Sequence, residues 1–185
     1  SYGITISHLR FGKSRIPAPY LIAEPDFVAC HNAAYIGRYD MLKGIKKGGV
    51  FLLNSEWDNK EVWSHLTKDM QDTIRKKQLK FYNIDALNIS QRYGLGFRIN
   101  TVMMTAFFKI SGVLPEDQAI QLIKDAIKKS YGKKGEDIVK QNWECVDATS
   151  AALTTVEIPG KSTKYYDPPK LISDDASDFA KDIVK

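Results

Sequence analysis

Three short apolar runs, separated by stretches with helical spacing, constrain this fold more than any other feature of the sequence. The runs occupy residues 26–30, 50–53 and 79–84, a length typical of buried strands. Between them, apolar residues recur every three or four positions over about 33–47 and 58–78. Strands that alternate with helices pair in parallel, because each helix returns the chain to the same end of the sheet. The pattern predicts a three-layer α/β/α domain, Rossmann-like, with a mostly parallel or mixed sheet.

The parts of the chain on either side extend this pattern. Residues 3–11 alternate like a half-buried strand with nothing before it, which suggests that the chain is a segment of a longer protein. Residues 159–185 combine Pro168-Pro169 with several Ser and Asp residues, and predict a linker or arm lying on another part of that protein. Helical spacing continues over residues 86–93, 99–110, 115–132 and 136–152.

Composition and charge suit a single globular domain. Of the 185 residues, 43% are hydrophobic and 26% are charged, and the net charge is +5. Lysine pairs such as Lys128/Lys129 and Lys133/Lys134 fit either a nucleic-acid surface or the solvated ends of helices. We favour the helix ends, because no RNA-binding aromatic signature accompanies the lysines. An autonomous basic α/β module that binds nucleotides or nucleic acid remains the alternative.

The sequence lacks the common signatures of catalysis, metal binding and membrane insertion. Cys30 and Cys145 stand far apart without a CxxC pair, so this chain alone cannot ligate a cluster or zinc, and inert buried thiols are expected. His8, His31 and His65 have no metal-ligand spacing, and no P-loop or nucleophile elbow occurs, so we predict no catalytic residue. No apolar run approaches the roughly 18 residues of a membrane helix and no signal peptide is evident, which makes the cytoplasm the expected location.

Small polar residues follow all three apolar runs. They are His31 and Asn32, then Asn54 and Ser55, then Asp85. In parallel sheets, ligands bind beyond the carboxyl ends of the strands, so these residues could form a binding edge. Such residues also cap the helices that follow strands. Both interpretations remain open for this edge.

A second candidate is the stretch GLGFRIN at residues 94–100. It does not fit a dinucleotide loop, because it has two glycines instead of three and does not follow the first strand directly. Arg98 and Asn100 at a helix N-terminus would suit an anionic or amide-bearing ligand. Alternatively, the glycines end one helix near Tyr93, Asn100 caps the next and Arg98 pairs with a carboxylate.

A third candidate is the stretch SHLRFG at residues 7–12. In an extended strand His8, Arg10 and Gly12 share one face. A histidine and an arginine on one face suggest a polar site or a subunit contact. A solvated edge strand explains the same pattern.

Seven stretches in this order resemble one family. They are SHLRFG (7–12), DFVACHN (26–32), GVFLLNS (49–55), FYNIDA (81–86), GLGFRIN (94–100), AFFKISGVLP (106–115) and SYGKKGE (130–136). Together they resemble the gamma-subunit-like region of the pyruvate:ferredoxin (flavodoxin) oxidoreductases over about residues 3–158. In that family the region begins with a glycine-rich segment and further strands. The resemblance therefore implies a gamma-subunit-like domain at 1–158 that lacks its N-terminal part, followed at 159–185 by a linker towards the next domain.

The resemblance also implies an activity for the full-length enzyme. That enzyme would oxidatively decarboxylate pyruvate with coenzyme A, giving acetyl-CoA, CO2 and electrons for ferredoxin or flavodoxin. Its thiamine diphosphate, magnesium and [4Fe-4S] clusters would lie on other domains, and this segment would hold no cofactor and be inactive alone. The expected partners are those domains, coenzyme A and a second copy of the full enzyme, with no nucleic acid and no membrane. The expected location is the cytoplasm, or a hydrogenosome-like organelle in an anaerobic eukaryote.

In the family this region is thought to cover the thiamine site and to help bind coenzyme A. Carried over to this sequence, the resemblance makes Arg98 and Asn100 the leading coenzyme contacts. Phosphates and amides of the coenzyme suit a guanidinium, a carboxamide and a helix N-terminus. Lys13, with Arg15, would add charge near the nucleotide phosphate. The weaker contacts implied are Asn32, His8 and Arg10.

Overall fold

A four-stranded sheet forms the centre of the computed structural model, which describes residues 4–17, 20–161 and 164–169. Its strands, in spatial order, are β1 (Phe27–Cys30), β2 (Val50–Asn54), β3 (Lys80–Ile84) and β4 (Thr154–Thr155). The first three pair in parallel, whereas β4 is antiparallel to β3. The predicted mostly parallel sheet is confirmed, and its mixed character comes from β4.

Helices cover both faces of this sheet. One face carries α1 (Lys68–Lys76) and the 3-10 turns Ala33–Tyr35 and Val62–His65. The opposite face carries α2 (Ala86–Arg92), α3 (Asn100–Ser111) and α5 (Glu136–Ala152). Outside them, α4 (Glu116–Tyr131) packs on α3 and α5, and the 3-10 turn Gly132–Lys134 joins α4 to α5. The four predicted helices from residue 86 onward are confirmed to within one residue. Within the described ranges, no helix has both the length and the apolar character needed to span a bilayer.

Alternating side chains of β2 build the two halves of the core. Phe51 and Leu53 belong to the cluster on the α1 side, where Phe51 stacks on Phe81 with ring centroids 5.3 Å apart. Leu52 belongs to the cluster on the opposite side, together with Val102 of α3. The three β2 side chains are fully buried, as expected of a central strand covered on both faces.

The strand predicted at 3–11 is wrong for its described part, since residues 4–17 adopt no regular secondary structure. Instead Phe11 packs on α3, with ring centroids 5.5 Å from Phe107 and 6.2 Å from Phe108. An alternating stretch becomes a strand only when a neighbouring strand supplies hydrogen-bond partners. Among the described residues, no strand pairs with this stretch.

The long helix predicted over 33–47 is also wrong. Only Ala33–Tyr35 forms a 3-10 turn, and the residues after it form successive turns. Gly37 and Gly44 have φ angles of 77° and 75°, a left-handed conformation that interrupts a right-handed helix. Of the five apolar side chains with helical spacing, Ile36, Leu42 and Ile45 are buried, Tyr35 is partly buried and Tyr39 is exposed.

The helix predicted over 58–78 is divided into two parts. The 3-10 turn Val62–His65 comes first, and α1 begins three residues after it. Thr67 separates the parts, because its backbone is extended and its Oγ1 accepts the Met70 N–H at 3.3 Å. Asp58 Oδ1 accepts the N–H groups of Lys60 and Glu61 in the turn before the first part, whose N-cap position is Glu61.

Candidate functional site

Asn54 joins the carboxyl ends of the three parallel strands. Its Nδ2 donates to the His31 carbonyl after β1 at 2.9 Å, and its Oδ1 accepts the Ala86 N–H after β3 at 3.0 Å. The donor and the acceptor of this side chain are therefore both bonded to backbone groups that follow the neighbouring strands. At this edge the polar residue stabilises the sheet and leaves little for a ligand.

Asn83 and Ser55 form a buried polar contact just below the same edge. Ser55 Oγ donates to Asn83 Oδ1 at 2.6 Å, and Asn83 Nδ2 donates to the Trp57 carbonyl at 2.6 Å. Both side chains are buried. Sequence reasoning missed Asn83, and the available signal was an asparagine between Tyr82 and Ile84 in a predicted buried strand.

Asn32 and Asp85 act as caps at the ends of β1 and β3. Asn32 Oδ1 accepts the Ala34 N–H at 3.0 Å, and Asp85 Oδ1 accepts the Asn88 N–H at 2.9 Å. The capping alternative is therefore confirmed for both residues. Next to Asn32, burial lowers the pKa of His31, which favours a neutral imidazole.

An open cleft of about 200 Å³ lies beyond the carboxyl end of β3. Its walls include Trp57, Asn59 and Asn88, and Trp57 stacks on His65 with ring centroids 4.1 Å apart. This stacking leaves the His65 side chain only partly exposed. Asn59 Nδ2 donates to Thr154 Oγ1 at 2.7 Å, so this polar wall is also tied into the fold.

The turn between α2 and α3 presents Arg98 and Asn100. Gly94 and Gly96 adopt positive φ angles of 72° and 61°, so the two glycines serve backbone geometry. Arg98 Nε donates to the Leu95 carbonyl at 3.1 Å, and no carboxylate among the described residues pairs with its guanidinium. The side chain is exposed at the surface.

Asn100 is the first residue of α3 and does not cap it. The N-cap position belongs to Ile99, which supplies no side-chain hydrogen bond. Among the described residues no side chain caps the first N–H groups of α3, and Asn100 is exposed beside them. The capping alternative for Asn100 and the ion-pair alternative for Arg98 are both wrong within the described chain.

His8, Arg10 and Lys13 belong to the N-terminal segment. His8 Nδ1 accepts the Ile22 N–H at 3.1 Å, and Arg10 Nη2 donates to the Tyr20 carbonyl at 2.6 Å while its guanidinium lies over the Tyr20 ring. Lys13 is exposed. The six proposed site residues thus lie in three parts of the fold: this segment, the end of β1 and the turn before α3.

The two cysteines lie in different halves of the core. Cys30 belongs to the cluster on the α1 side and donates to the Asn32 carbonyl at 3.1 Å, whereas Cys145 belongs to the opposite cluster. Burial raises the pKa of both thiols. Across the described ranges, no group of three His, Cys, Asp or Glu side chains is arranged to hold a metal ion.

In the native chain, Cys145 is expected to react with iodoacetamide at pH 8 at least about 100-fold more slowly than an exposed cysteine. Burial raises the pKa of Cys145 from 9.0 to about 11, which reduces the reactive thiolate about 100-fold. Mass spectrometry of the labelled peptides measures the rate, and the same chain in urea is the control. Equal rates at Cys145 in native and urea-unfolded chain would contradict the buried position.

A second cleft of about 450 Å³ lies among α3, α4 and α5. Lys109 Nζ lies 2.9 Å from Glu116 Oε1, and Lys124 Nζ lies 2.6 Å from Asp147 Oδ1. The hydrogen bond from Lys109 lowers the pKa of Glu116. The charges within each pair neutralise one another, and the lining carries one further carboxylate, Asp117, so the cleft does not suit an anionic ligand.

Comparison with known proteins places the chain in a family. A model of the family described as pyruvate ferredoxin/flavodoxin oxidoreductase matches residues 1–152. The pyruvate:ferredoxin oxidoreductase of Moorella thermoacetica is 56% identical over 159 residues, which are 86% of this chain and 14% of that protein. The pyruvate-flavodoxin oxidoreductase of Rhodospirillum rubrum is 45% identical over 184 residues, covering 100% of this chain and 15% of that protein. The chain thus spans about one-seventh of the length of these relatives.

A solved structure supports the fold independently. The pyruvate oxidoreductase subunit PORC of Thermotoga maritima matches with a TM-score of 0.55 and 17% identity, over 74% of this chain and 67% of that one. At this identity the likeness concerns the fold alone. Because the family model covers most of the sequence and both relatives named above exceed 40% identity, the chain belongs to the pyruvate ferredoxin/flavodoxin oxidoreductase family.

Proposed function

We propose that this chain is one domain of an enzyme that oxidatively decarboxylates pyruvate with coenzyme A and passes the electrons to ferredoxin or flavodoxin. The 56% identity with the Moorella thermoacetica protein over 159 residues is the observation that carries the proposal. The matched region is 14% of that relative, so the remaining machinery would lie outside these residues. In this proposal the chain is inactive alone, and its partners are the other domains of an enzyme that forms homodimers.

The redox and thiamine cofactors are assigned to those other domains. Cys30 and Cys145 lie in different core clusters, so these thiols do not fit the ligand set of one iron–sulfur cluster. Their raised pKa values also disfavour the thiolate form that a metal needs. We therefore assign no redox step and no thiamine chemistry to the side chains of this domain.

The part proposed for this domain is to help bind coenzyme A and to cover the thiamine site. The turn before α3 supports it best, because an exposed arginine and an exposed asparagine lie beside a helix N-terminus without a side-chain cap. Uncapped N–H groups and the helix dipole attract phosphate, and a guanidinium can donate two parallel hydrogen bonds to it. Asn32, His8, Arg10 and Lys13 remain weaker proposals, because the first three already make hydrogen bonds within the domain and Lys13 lies on another segment than the turn before α3.

Arg98→Ala in the full-length enzyme is expected to raise KM for coenzyme A about 10-fold to 100-fold, with KM for pyruvate unchanged. Hydrogen bonds to a charged group contribute about 1.5–3 kcal/mol, which corresponds to that range. Steady-state kinetics with each substrate varied in turn measures the effect. Arg92→Ala is the matched control, because Arg92 is an exposed arginine in the last turn of α2.

The kinetic result distinguishes the candidate contacts. Unchanged KM for coenzyme A in Arg98→Ala and in Asn100→Ala would remove this turn from the coenzyme site and favour a purely structural domain. An equal rise of KM in Arg92→Ala would indicate a general electrostatic effect instead of a contact.

A nucleic-acid module is not favoured as an alternative. The family match explains the sequence without it, and Lys46, Lys109 and Lys124 are paired with carboxylates. Salt-titrated binding to RNA separates the two functions, because phosphate contacts weaken steeply with salt. Tight binding with a steep salt dependence would restore the alternative.

A further inference from the structure

Residues 164–169, which we call the strap, lie against a surface of the domain that we call the groove. The groove is formed by Leu66 and Thr67 before α1, Gln71 within α1, and Gly37 after β1. The Tyr166 N–H donates to the Leu66 carbonyl at 2.9 Å, and Tyr166 forms a parallel bridge with Thr67. The strap is therefore bonded to the domain through its backbone, at the residues just before α1.

Gln71 is a buried polar side chain whose partners include the strap. It is fully buried, and its Nε2 donates to the Trp63 carbonyl at 2.8 Å and to the Lys164 carbonyl at 3.0 Å. Removal of the strap would leave one amide hydrogen without this partner and open the site to water. Of the Gln71 carboxamide only Nε2 is bonded, since Oε1 has no partner among the described residues, and one of the two bonds of Nε2 depends on the strap.

Gly37 shows that the groove fits the strap closely. Its φ angle is +77°, and a Cβ at this position would lie 2.8 Å from Pro168 Cβ and 3.1 Å from Tyr166 Cε1. A Cβ atom does not approach a non-bonded heavy atom as closely as 2.8 Å. Glycine is therefore required at position 37 for Pro168 to pack where it does. The proline also fixes its own φ angle, which reduces the entropy lost when the segment docks.

We propose that the strap is an integral part of this domain and that the groove is a docking site for this segment of the same chain. The boundary of the domain would then lie beyond residue 169 and not at residue 158. Docking would hold the chain where it leaves the domain, against α1 and the turns that follow Asn32. Whatever follows the strap would start from a fixed position beside the carboxyl edge of the sheet.

Gly37→Ala in the complete polypeptide tests the groove, with Gly48→Ala as the matched control. Gly48 has a similar φ angle of +74°, but a Cβ there would meet no atom within 4 Å. Both variants therefore carry the same backbone strain, and only Gly37→Ala collides with the strap. Amide hydrogen exchange at Tyr166 and tryptic cleavage after Lys164 are the readouts, since both groups bond to the groove.

The expected result is an increase of at least about tenfold in both rates for Gly37→Ala and no change for Gly48→Ala. A strap-side pair keeps the test decisive if Gly37→Ala does not fold. Pro168→Gly should raise the same rates, whereas Pro169→Gly, changed at the exposed neighbouring proline, should not. Rates at Tyr166 and Lys164 that match the controls in every folded variant would overturn the proposal.

Discussion

Phe51→Ala is expected to lower the free energy of unfolding by about 3–5 kcal/mol, a large part of the stability of an ordinary domain. Phe51 is fully buried in the central strand β2, and its ring stacks on Phe81 at 5.3 Å. Alanine would remove the ring, lose its stacking on Phe81 and leave a cavity between the sheet and α1. Because the neighbouring strands are hydrogen-bonded on both sides of β2, the backbone cannot collapse into that space.

Urea unfolding of the chain, followed by circular dichroism, measures the loss. Leu122→Ala is the control, because Leu122 on α4 is 50% exposed and should cost less than about 1 kcal/mol. A loss at Phe51 no greater than that at Leu122 would mean that β2 does not occupy the centre of the core.

Asn83→Ala is the second prediction, with an expected loss of about 2–4 kcal/mol. The change removes the acceptor of the Ser55 hydroxyl and the donor to the Trp57 carbonyl, both bonded at 2.6 Å. The two partners would stay in a buried site without hydrogen bonds, which costs more than the bonds themselves contribute. Asn83→Ser supplies a hydroxyl that can donate and accept, and should lose less.

Asn88→Ala provides the comparison at the same cleft. Asn88 lines the cleft but is exposed, so its replacement should change stability by less than about 0.5 kcal/mol. Urea unfolding of both variants measures the two changes in the free energy of unfolding. Equal losses for Asn83→Ala and Asn88→Ala would show that the buried polar contact is unimportant.

The strands were predictable because their signal is local. Each of the three parallel strands is a short stretch rich in apolar residues, as expected of strands that helices cover on both faces. The helices from residue 86 onward were predictable for a similar reason, since their apolar stripes have the helical period and glycine follows α3 and α4.

The stretch at 33–47 shows where the same signal misleads. Spacing of apolar residues reports which side chains are buried, and Ile36, Leu42 and Ile45 are indeed buried. The backbone is set by Gly37 and Gly44, whose left-handed conformations a right-handed helix does not contain. Periodicity predicted burial here, and the glycines overrode the helix.

The candidate site was only partly accessible from the sequence. The glycines of GLGFRIN and the exposed position of Arg98 agree with the prediction, but Asn100 was left uncertain between a cap and a contact. Asn32 and Asp85 proved to be caps, and whether Arg98 or Asn100 meets a coenzyme stays a prediction. Asn83 escaped notice because its partners, Ser55 and Trp57, are more than 25 residues away.

The sequence alone determined the alternation of strands and helices, the burial of the main apolar side chains and the family to which the chain belongs. These properties depend on neighbours within about ten residues or on collinear motifs, so they can be recognised without coordinates. Only the tertiary structure decided which polar side chains are already bonded, that residues 4–17 form no strand, and that residues 164–169 pack against α1. Each of these depends on contacts between segments distant in the chain, where a hydrogen bond or a steric fit is set by position in space and not by spacing in sequence.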